Sequence, residues 1–330
     1  MFSWIFDKIF CKKNVQFEKS LDEKQVDDKT HMTSDNFLES FYPLKYQDKG
    51  CSDMGFKDKV LLVLKGCALG DSAGRIYEAV SPTECREEVC LENLYSSGES
   101  LDCTDDTILT CATIEALLNP NNPNKGEDPY AFCYRKYAKA YPLGNYGGRF
   151  IVWANEDISP ESCGNGSAMR VSPCGCLEKI EDVVNEAYKS AMCTHSHPEG
   201  VKGAIVTAVC VWMAFHGYSK TEIGKYCSSQ YPESPYTPSI DYKKIYKYHQ
   251  VKGNPALCQT TVPMAINCFV YSDSFEDCIL KAIHMGWDTD TQAAIAGFVA
   301  MAYYKKCSDE GEKAWEILKK VPYIENAILL

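Results

Sequence analysis

Two short stretches hold side chains whose types and spacing could do chemistry. Asp288-Thr289-Asp290-Thr291 follows Gly286-Trp287 and sets two carboxylates and two hydroxyls just ahead of the apolar run Ala293-Ala294-Ile295-Ala296-Gly297. Thr104-Asp105-Asp106-Thr107 does the same ahead of Ile108, Leu109, Ala112, Ile114, Leu117 and Leu118. Each stretch taken singly reads as a helix cap, because an N-terminal Asp or Thr satisfies orphan backbone N–H groups and complements the helix dipole. Capping needs one such residue per helix, however, and adjacent carboxylates repel one another. The doubling at two distant helix starts is better explained by a cation between them. An all-oxygen donor set suits a hard divalent ion such as Mg²⁺.

Helices must aim these groups, and the chain is rich in helical periodicity. Val60, Leu61, Val63, Leu64, Cys67 and Ala68 recur at three- and four-residue steps, and that run ends in Gly70-Asp71-Ser72-Ala73-Gly74, after which a loop is expected. Asp71 reads as a cap or loop brace, and Glu78 beyond it, by itself, as a solvated acid. Further helical runs are predicted over 177–193, 201–215, 221–227, 262–270, 275–284, 290–304 and 312–318. No sustained period-two pattern suggests a strand, so the fold class is all-α. Between the helices lies a loop-rich middle with Tyr146-Gly147-Gly148 and Cys163-Gly164-Asn165-Gly166-Ser167-Ala168-Met169-Arg170, whose glycines let backbone N–H groups approach a phosphate. Gly164 and Gly166 lack the third glycine and the preceding strand of a dinucleotide fold. His195 and His197 have no further nitrogen or sulfur ligand at zinc spacing, which leaves them hydrogen-bonding roles.

Composition bounds the rest. A net charge of -11 on 330 residues argues against a general nucleic-acid-binding surface. The 18 cysteines include no C-x-x-C pair, and many fall in apolar helical patterns, so they read as mostly reduced. The chain start lacks a secretory signal pattern, and no stretch approaches a membrane span of about 20 apolar residues. An intracellular, cytoplasmic location is the expectation. Residues 1–50 read as an extension, charged and flexible after Cys11. Trp4, Ile5, Phe6, Ile9 and Phe10 could line a short amphipathic helix that touches a membrane or partner, or packs on its own domain. The folded domain is expected over residues 51–330.

Taken in order, Gly66-Cys67-Ala68-Leu69-Gly70-Asp71 with Glu78, Thr104-Asp105-Asp106-Thr107, Tyr146-Gly147-Gly148, Gly164 to Arg170, His195 and Asp288-Thr289-Asp290-Thr291 resemble the ADP-ribosylglycohydrolase family over most of residues 56–305. The resemblance implies a compact all-α domain with two Mg²⁺ ions, or Mn²⁺ in their place, in a cleft. Thr104, Asp105, Asp106, Asp288, Asp290 and Thr291 would hold the metals. Glu78 would match a mobile-loop glutamate with a gating and acid–base role, while Asp106 and Asp290 position a water. Tyr146, Gly147, Gly148, Ser162, Asn165, Gly166, Ser167, Met169 and Arg170 would line the ADP moiety, and His195 would lie near phosphate and ribose. The implied reaction is hydrolysis of the glycosidic bond between ADP-ribose and a modified target. The partner would be an ADP-ribosylated protein or a small derivative such as an O-acyl ester. A non-catalytic ADP-ribose binder is the alternative. Two positions depart from the family pattern: Trp287 stands where a second glycine is usual, and Cys163 where many relatives carry an aromatic residue.

Overall fold

The computed structural model describes residues 34–43, 53–95, 101–120, 127–156, 158, 161–234 and 255–330. The apolar reading of the first ten residues lies outside them. Contacts divide the chain into Met1–Ser40, whose described element is helix α1 (Ser34–Glu39), and Phe41–Leu330.

In the second unit the helices are α2 (Phe56–Gly74), α3 (Pro82–Glu88), α4 (Asp105–Leu118), α5 (Pro129–Ala140), α6 (Gly148–Asn155), α7 (Gly166–Met169) and α8 (Ile180–Met192). They continue with α9 (Pro198–Phe215), α10 (Lys220–Gln230), α11 (Cys258–Val270), α12 (Phe275–Ile283), α13 (Thr289–Tyr304), α14 (Asp309–Leu318) and α15 (Pro322–Leu329). Among the described residues there is no strand, only two isolated bridges, Glu161 with His195 and Gly164 with Leu257. The all-α expectation therefore describes the fold.

Helix α13 is buried along Thr289–Ala302, which is why its sequence is apolar on every side rather than striped. It runs antiparallel to α2 at backbone contact. Gly66, Gly70 and Gly74, spaced one turn apart on α2, meet the carbonyls of Gly297, Ala293 and Thr289 in register. A Cβ at Gly66 would stand 2.6 Å from the Gly297 oxygen, and one at Gly70 or Gly74 closer still to its partner carbonyl. Only glycine permits this approach.

Two predicted features need correction. The middle read as loops contains α5 and α6. Helix α5 begins at a Pro129 N-terminus capped by Asp128 and buries Tyr130, Cys133, Tyr134 and Tyr137 on one face. Those aromatic and thiol side chains pack like hydrophobes while their polar atoms disguise the stripe. Asp71, read as a cap or loop brace, lies inside the last turn of α2, which continues to Gly74. Helix α9 is by length and composition apolar enough to cross a membrane, but most of it is buried within the fold as a core helix. The sixteen described cysteines are all free thiols, and the one exposed among them, Cys90, lies outside the helices.

Gly70→Ala tests the glycine contact. Overpacking costs about 3 kcal/mol at such a site, and the helix propensity of alanine returns about 1 kcal/mol. Denaturant unfolding should therefore show a net loss of about 2 kcal/mol; an unchanged midpoint at unchanged slope would mean that the two helices can part freely.

Candidate active site

The start of α4 is built by a residue from α2. Asp71 is wholly buried, and its carboxylate accepts four hydrogen bonds: from Thr104 N at 2.9 Å, Thr104 Oγ1 at 3.0 Å, Thr107 N at 3.2 Å and Thr107 Oγ1 at 2.6 Å. It caps α4 from another helix. Thr104, at the N-cap position, makes no side-chain cap bond of its own, and neither does Asp288 at the start of α13. The capping explanation for the paired acids therefore loses most of its ground, because another residue does that work at α4.

The two helix starts meet. Thr104 Oγ1 lies 3.1 Å and Thr291 Oγ1 3.3 Å from Asp106 Oδ2, so the hydroxyls of both stretches converge on one carboxylate. Asp106 Oδ1 is buried with no hydrogen-bond partner. Asp290 Oδ1 accepts from Thr291 N at 2.8 Å, and Asp288 Oδ2 accepts from Asn165 Nδ2 at 2.7 Å. Burial first, and the charges of the neighbouring carboxylates second, push Asp105, Asp106 and Asp290 well above the usual carboxylate range. Burial raises Asp71 and Asp288 to about 6, against the pull of their hydrogen bonds. Among the described residues no three acid, imidazole or thiol groups form a ready ligand shell around one point. The carboxylates are held by Thr and Asn donors instead.

Glu78 sits at the exposed rim, where Asn145 Nδ2 donates to its Oε2 at 3.0 Å. Its charge bears on Asp105 and Asp288. The residues beside it are fastened to the metal-type loop: Ala79 N donates to Trp287 O at 2.6 Å, and Trp287 N donates to Val80 O at 2.8 Å. Both clasp partners, Ala79 (φ 65°) and Trp287 (φ 66°), are in the left-handed region, as is Gly286.

The remaining expected residues separate into two groups. Tyr146 is buried and stacked on Phe150 with centroids 5.3 Å apart, and burial with the Asp105 charge raises its phenol. Gly147 has open space around it, and Gly148 starts α6. Ser162 Oγ accepts from Gly164 N at 3.1 Å, and Gly166 lies against the ring of His195. Ser167, Met169 and Arg170, by contrast, turn inward. Ser167 Oγ donates to Gly200 O at 2.7 Å, Met169 is 4% exposed, and the guanidinium of Arg170 packs over Tyr134 at 3.9 Å. All three side chains are buried, while Gly166, at the start of the single turn of α7, lies against the ring of His195. Asp71, Thr107, Asn145 and Thr194 were not singled out as site residues from the sequence. Thr107 and Asp71 stood inside the quoted motifs, and Asn145 and Thr194 lay next to Tyr146-Gly147 and His195.

If Asp71 caps α4 in this way, Asp71→Asn, which turns an amide N–H₂ toward donors, should lower the unfolding free energy by roughly 2 kcal/mol or more. Removing the exposed Ser81 cap of α3 by Ser81→Ala should cost only about 1 kcal/mol. Equal losses in chemical denaturation would remove Asp71 from this role.

Three comparisons bear on what these residues belong to. The family model described as ADP-ribosylglycohydrolase matches residues 52–306. The chain is 27% identical over 312 residues to ADP-ribosylhydrolase ARH3 of Mus musculus, covering 73% of this chain and 82% of that protein. It is 23% identical over 261 residues to the ADP-ribosyl-[dinitrogen reductase] glycohydrolase of Rhodospirillum rubrum, covering 75% and 86%. A solved structure titled ADP-ribosylglycohydrolase-related protein complex superposes with a TM-score of 0.59 at 20% identity, over 83% of this chain and 96% of the other, which shows a shared fold. With the paired acids, the glycine-rich turn and Glu78 all inside the matched span, this chain belongs to the ADP-ribosylglycohydrolase family.

Proposed function

We propose that the chain is a Mg²⁺-dependent hydrolase that cleaves the glycosidic bond between ADP-ribose and a modified target, with a mono-ADP-ribosylated protein side chain as the substrate class. The observation that carries the reading is the meeting of two helix starts whose acids are not used as caps. Their donors are all oxygen, and a buried Asp106 Oδ1 is left without a partner. That set fits Mg²⁺, or Mn²⁺, in donor chemistry. Thr104, Asp105, Asp106, Asp288, Asp290 and Thr291 would hold two ions. When bound, such ions supply charge compensation for the acids and Lewis-acid polarisation at the ribose hydroxyls and a water.

The chain's own groups divide the remaining work. Gly147, Gly148 and the turn at Gly164 to Gly166 offer backbone at the cleft for the ADP half, where side chains would block approach. Asn165 keeps Asp288 oriented through its 2.7 Å bond. Glu78, at the rim and facing Asp105 and Asp288, is the group to take a proton from water as its oxygen attacks the anomeric carbon. Its negative charge also opposes the positive charge of an oxocarbenium-like transition state. The proton then passes to the departing acceptor atom, so the step is balanced.

Incubation of the protein with ADP-ribosylated arginine, serine and nucleic-acid substrates and with O-acyl-ADP-ribose, with and without Mg²⁺, should release ADP-ribose only with the ion. Glu78→Gln should slow release by 10²-fold or more (order of magnitude) while ADP-ribose still binds. Binding without release from every substrate would leave a non-catalytic binder.

The acids give a pH signature. Asp71 and Asp288 have folded-state pKa values raised from 3.8 to about 6, so the metal-free fold holds their protons more tightly than the unfolded chain does. Their contribution is fully present below 3.8 and is lost as pH rises through about 6. Mg²⁺ displaces those protons, so the difference in Tm between Mg²⁺-loaded and chelator-treated protein should widen across this window. A difference that stays constant with pH would separate these acids from the metal.

A further inference from the structure

Arg170 is buried behind the cleft with no carboxylate bonded to it among the described residues. Its Nη2 donates to Ser190 O at 3.1 Å and to Thr194 Oγ1, its Nε and Nη1 find no acceptor, and its charge lies over the Tyr134 ring. Thr194 is 1% exposed, and its Oγ1 lies 2.7 Å from Nδ1 of His195. A guanidinium can only donate, so Thr194 Oγ1 is the acceptor of that bond. The hydroxyl proton of Thr194 then needs an acceptor of its own, as a buried donor does; the Cys193 thiol beside it is a weak acceptor and donates to Ser190 O, whereas His195 Nδ1 stands at 2.7 Å. An Nδ1 that accepts carries no proton. The neutral ring therefore bears its proton on Nε2, which has no hydrogen bond among the described residues and lies against the turn: a Cβ on Gly166 would be 3.0 Å from it, and one on Gly164 3.7 Å.

We infer that Arg170 and Thr194 are positioning residues that fix His195 as the Nε2–H tautomer, so that the ring presents a neutral donor to an acceptor oxygen of a ligand held at the Gly164–Gly166 turn. The opposite tautomer would turn a lone pair toward that oxygen and repel it. Two cations, Arg170 and Arg149, bear on the ring, and the Glu161 backbone pairs with that of His195. Burial, reinforced by those cations, holds the imidazole well below its usual range and keeps it uncharged. Arg170 thus acts through Thr194 rather than by touching a ligand. The identity of the ligand, ADP-ribose, rests on the proposed function; the tautomer does not.

Nitrogen-15 NMR of the full chain with labelled histidine, assigned by His195→Gln, reads the tautomer directly. The expected pattern for His195 is a pyridine-like, hydrogen-bonded Nδ1 and a pyrrole-like Nε2. Thr194→Val, close in size, should shift the Nδ1 signal and weaken ADP-ribose binding in calorimetry by about tenfold, and Thr194→Ser should restore both. A pyrrole-like Nδ1 in the unaltered protein overturns the inference whatever the variants do. So does a Thr194→Val protein with the Nδ1 signal unmoved. If the tautomer is as stated but the unaltered protein does not bind ADP-ribose, the relay stands and the functional reading falls.

Discussion

The rest of the site depends on the backbone contact between α2 and α13. Glycine at each facing turn lets the two helices approach until carbonyls occupy the space a Cβ would need. The register of that contact has chemical consequences. Gly74 meets Thr289, the first residue of α13, and Thr289 Oγ1 donates back to the Gly74 carbonyl at 2.8 Å. The start of α13, with Asp288 and Asp290 on either side of Thr289, is thereby placed one turn from Asp71. Asp71 in turn fastens the start of α4, which carries Asp105 and Asp106. Three helices from distant parts of the chain are thus locked together by one close approach and one buried carboxylate.

That arrangement concentrates negative charge where water cannot screen it. Five aspartates share a space in which burial and mutual repulsion disfavour ionisation, while the available hydrogen bonds to Asp71 and Asp288 only partly offset that cost. A fold that needed only helix caps would have no reason to carry it, because Asp71 and Thr289 already tie the two helix starts to α2. The excess acids are the groups that the proposed cations would use, and the neutral His195 and the glycine turn beside Asn165 would form an uncharged wall beside them.

Much of this was legible in the sequence, for identifiable reasons. Asp105, Asp106, Asp288 and Asp290 stood out because doubled acids exceed what capping asks of a helix start. Helices α2 and α4 declared themselves by apolar periodicity, and α13 by a continuous apolar run. Helix α5 did not, since its buried face is written in Tyr and Cys among Lys and Arg, residues whose polar atoms mask the pattern. The role of Asp71 was hidden because its partners are 33 and 36 residues away and are brought to it only by tertiary packing. Arg170, read as lining the ADP moiety because it is contiguous with Gly164-Asn165-Gly166, is wholly buried, one helical turn away from Gly166 against His195.

Trp287 is where local preference and global structure disagree, and the disagreement is informative. A bulky residue at φ 66° is strained by about 1 kcal/mol relative to glycine, and it persists because its backbone is held from both sides of the Glu78 turn by Ala79 N–H and the Val80 carbonyl. Ala79 shares the same unfavourable region. The clasp therefore sets two strained residues against two short hydrogen bonds. Because Asp288 follows Trp287 directly, the loop that carries Asp288 and the turn that carries Glu78 are joined by these two backbone hydrogen bonds. The indole N–H, buried and without a partner, leaves the side chain with a donor that its surroundings do not use. An aromatic residue at this junction thus couples the rim carboxylate to the acids below it through the backbone, and it adds bulk beside the cleft that a glycine would not.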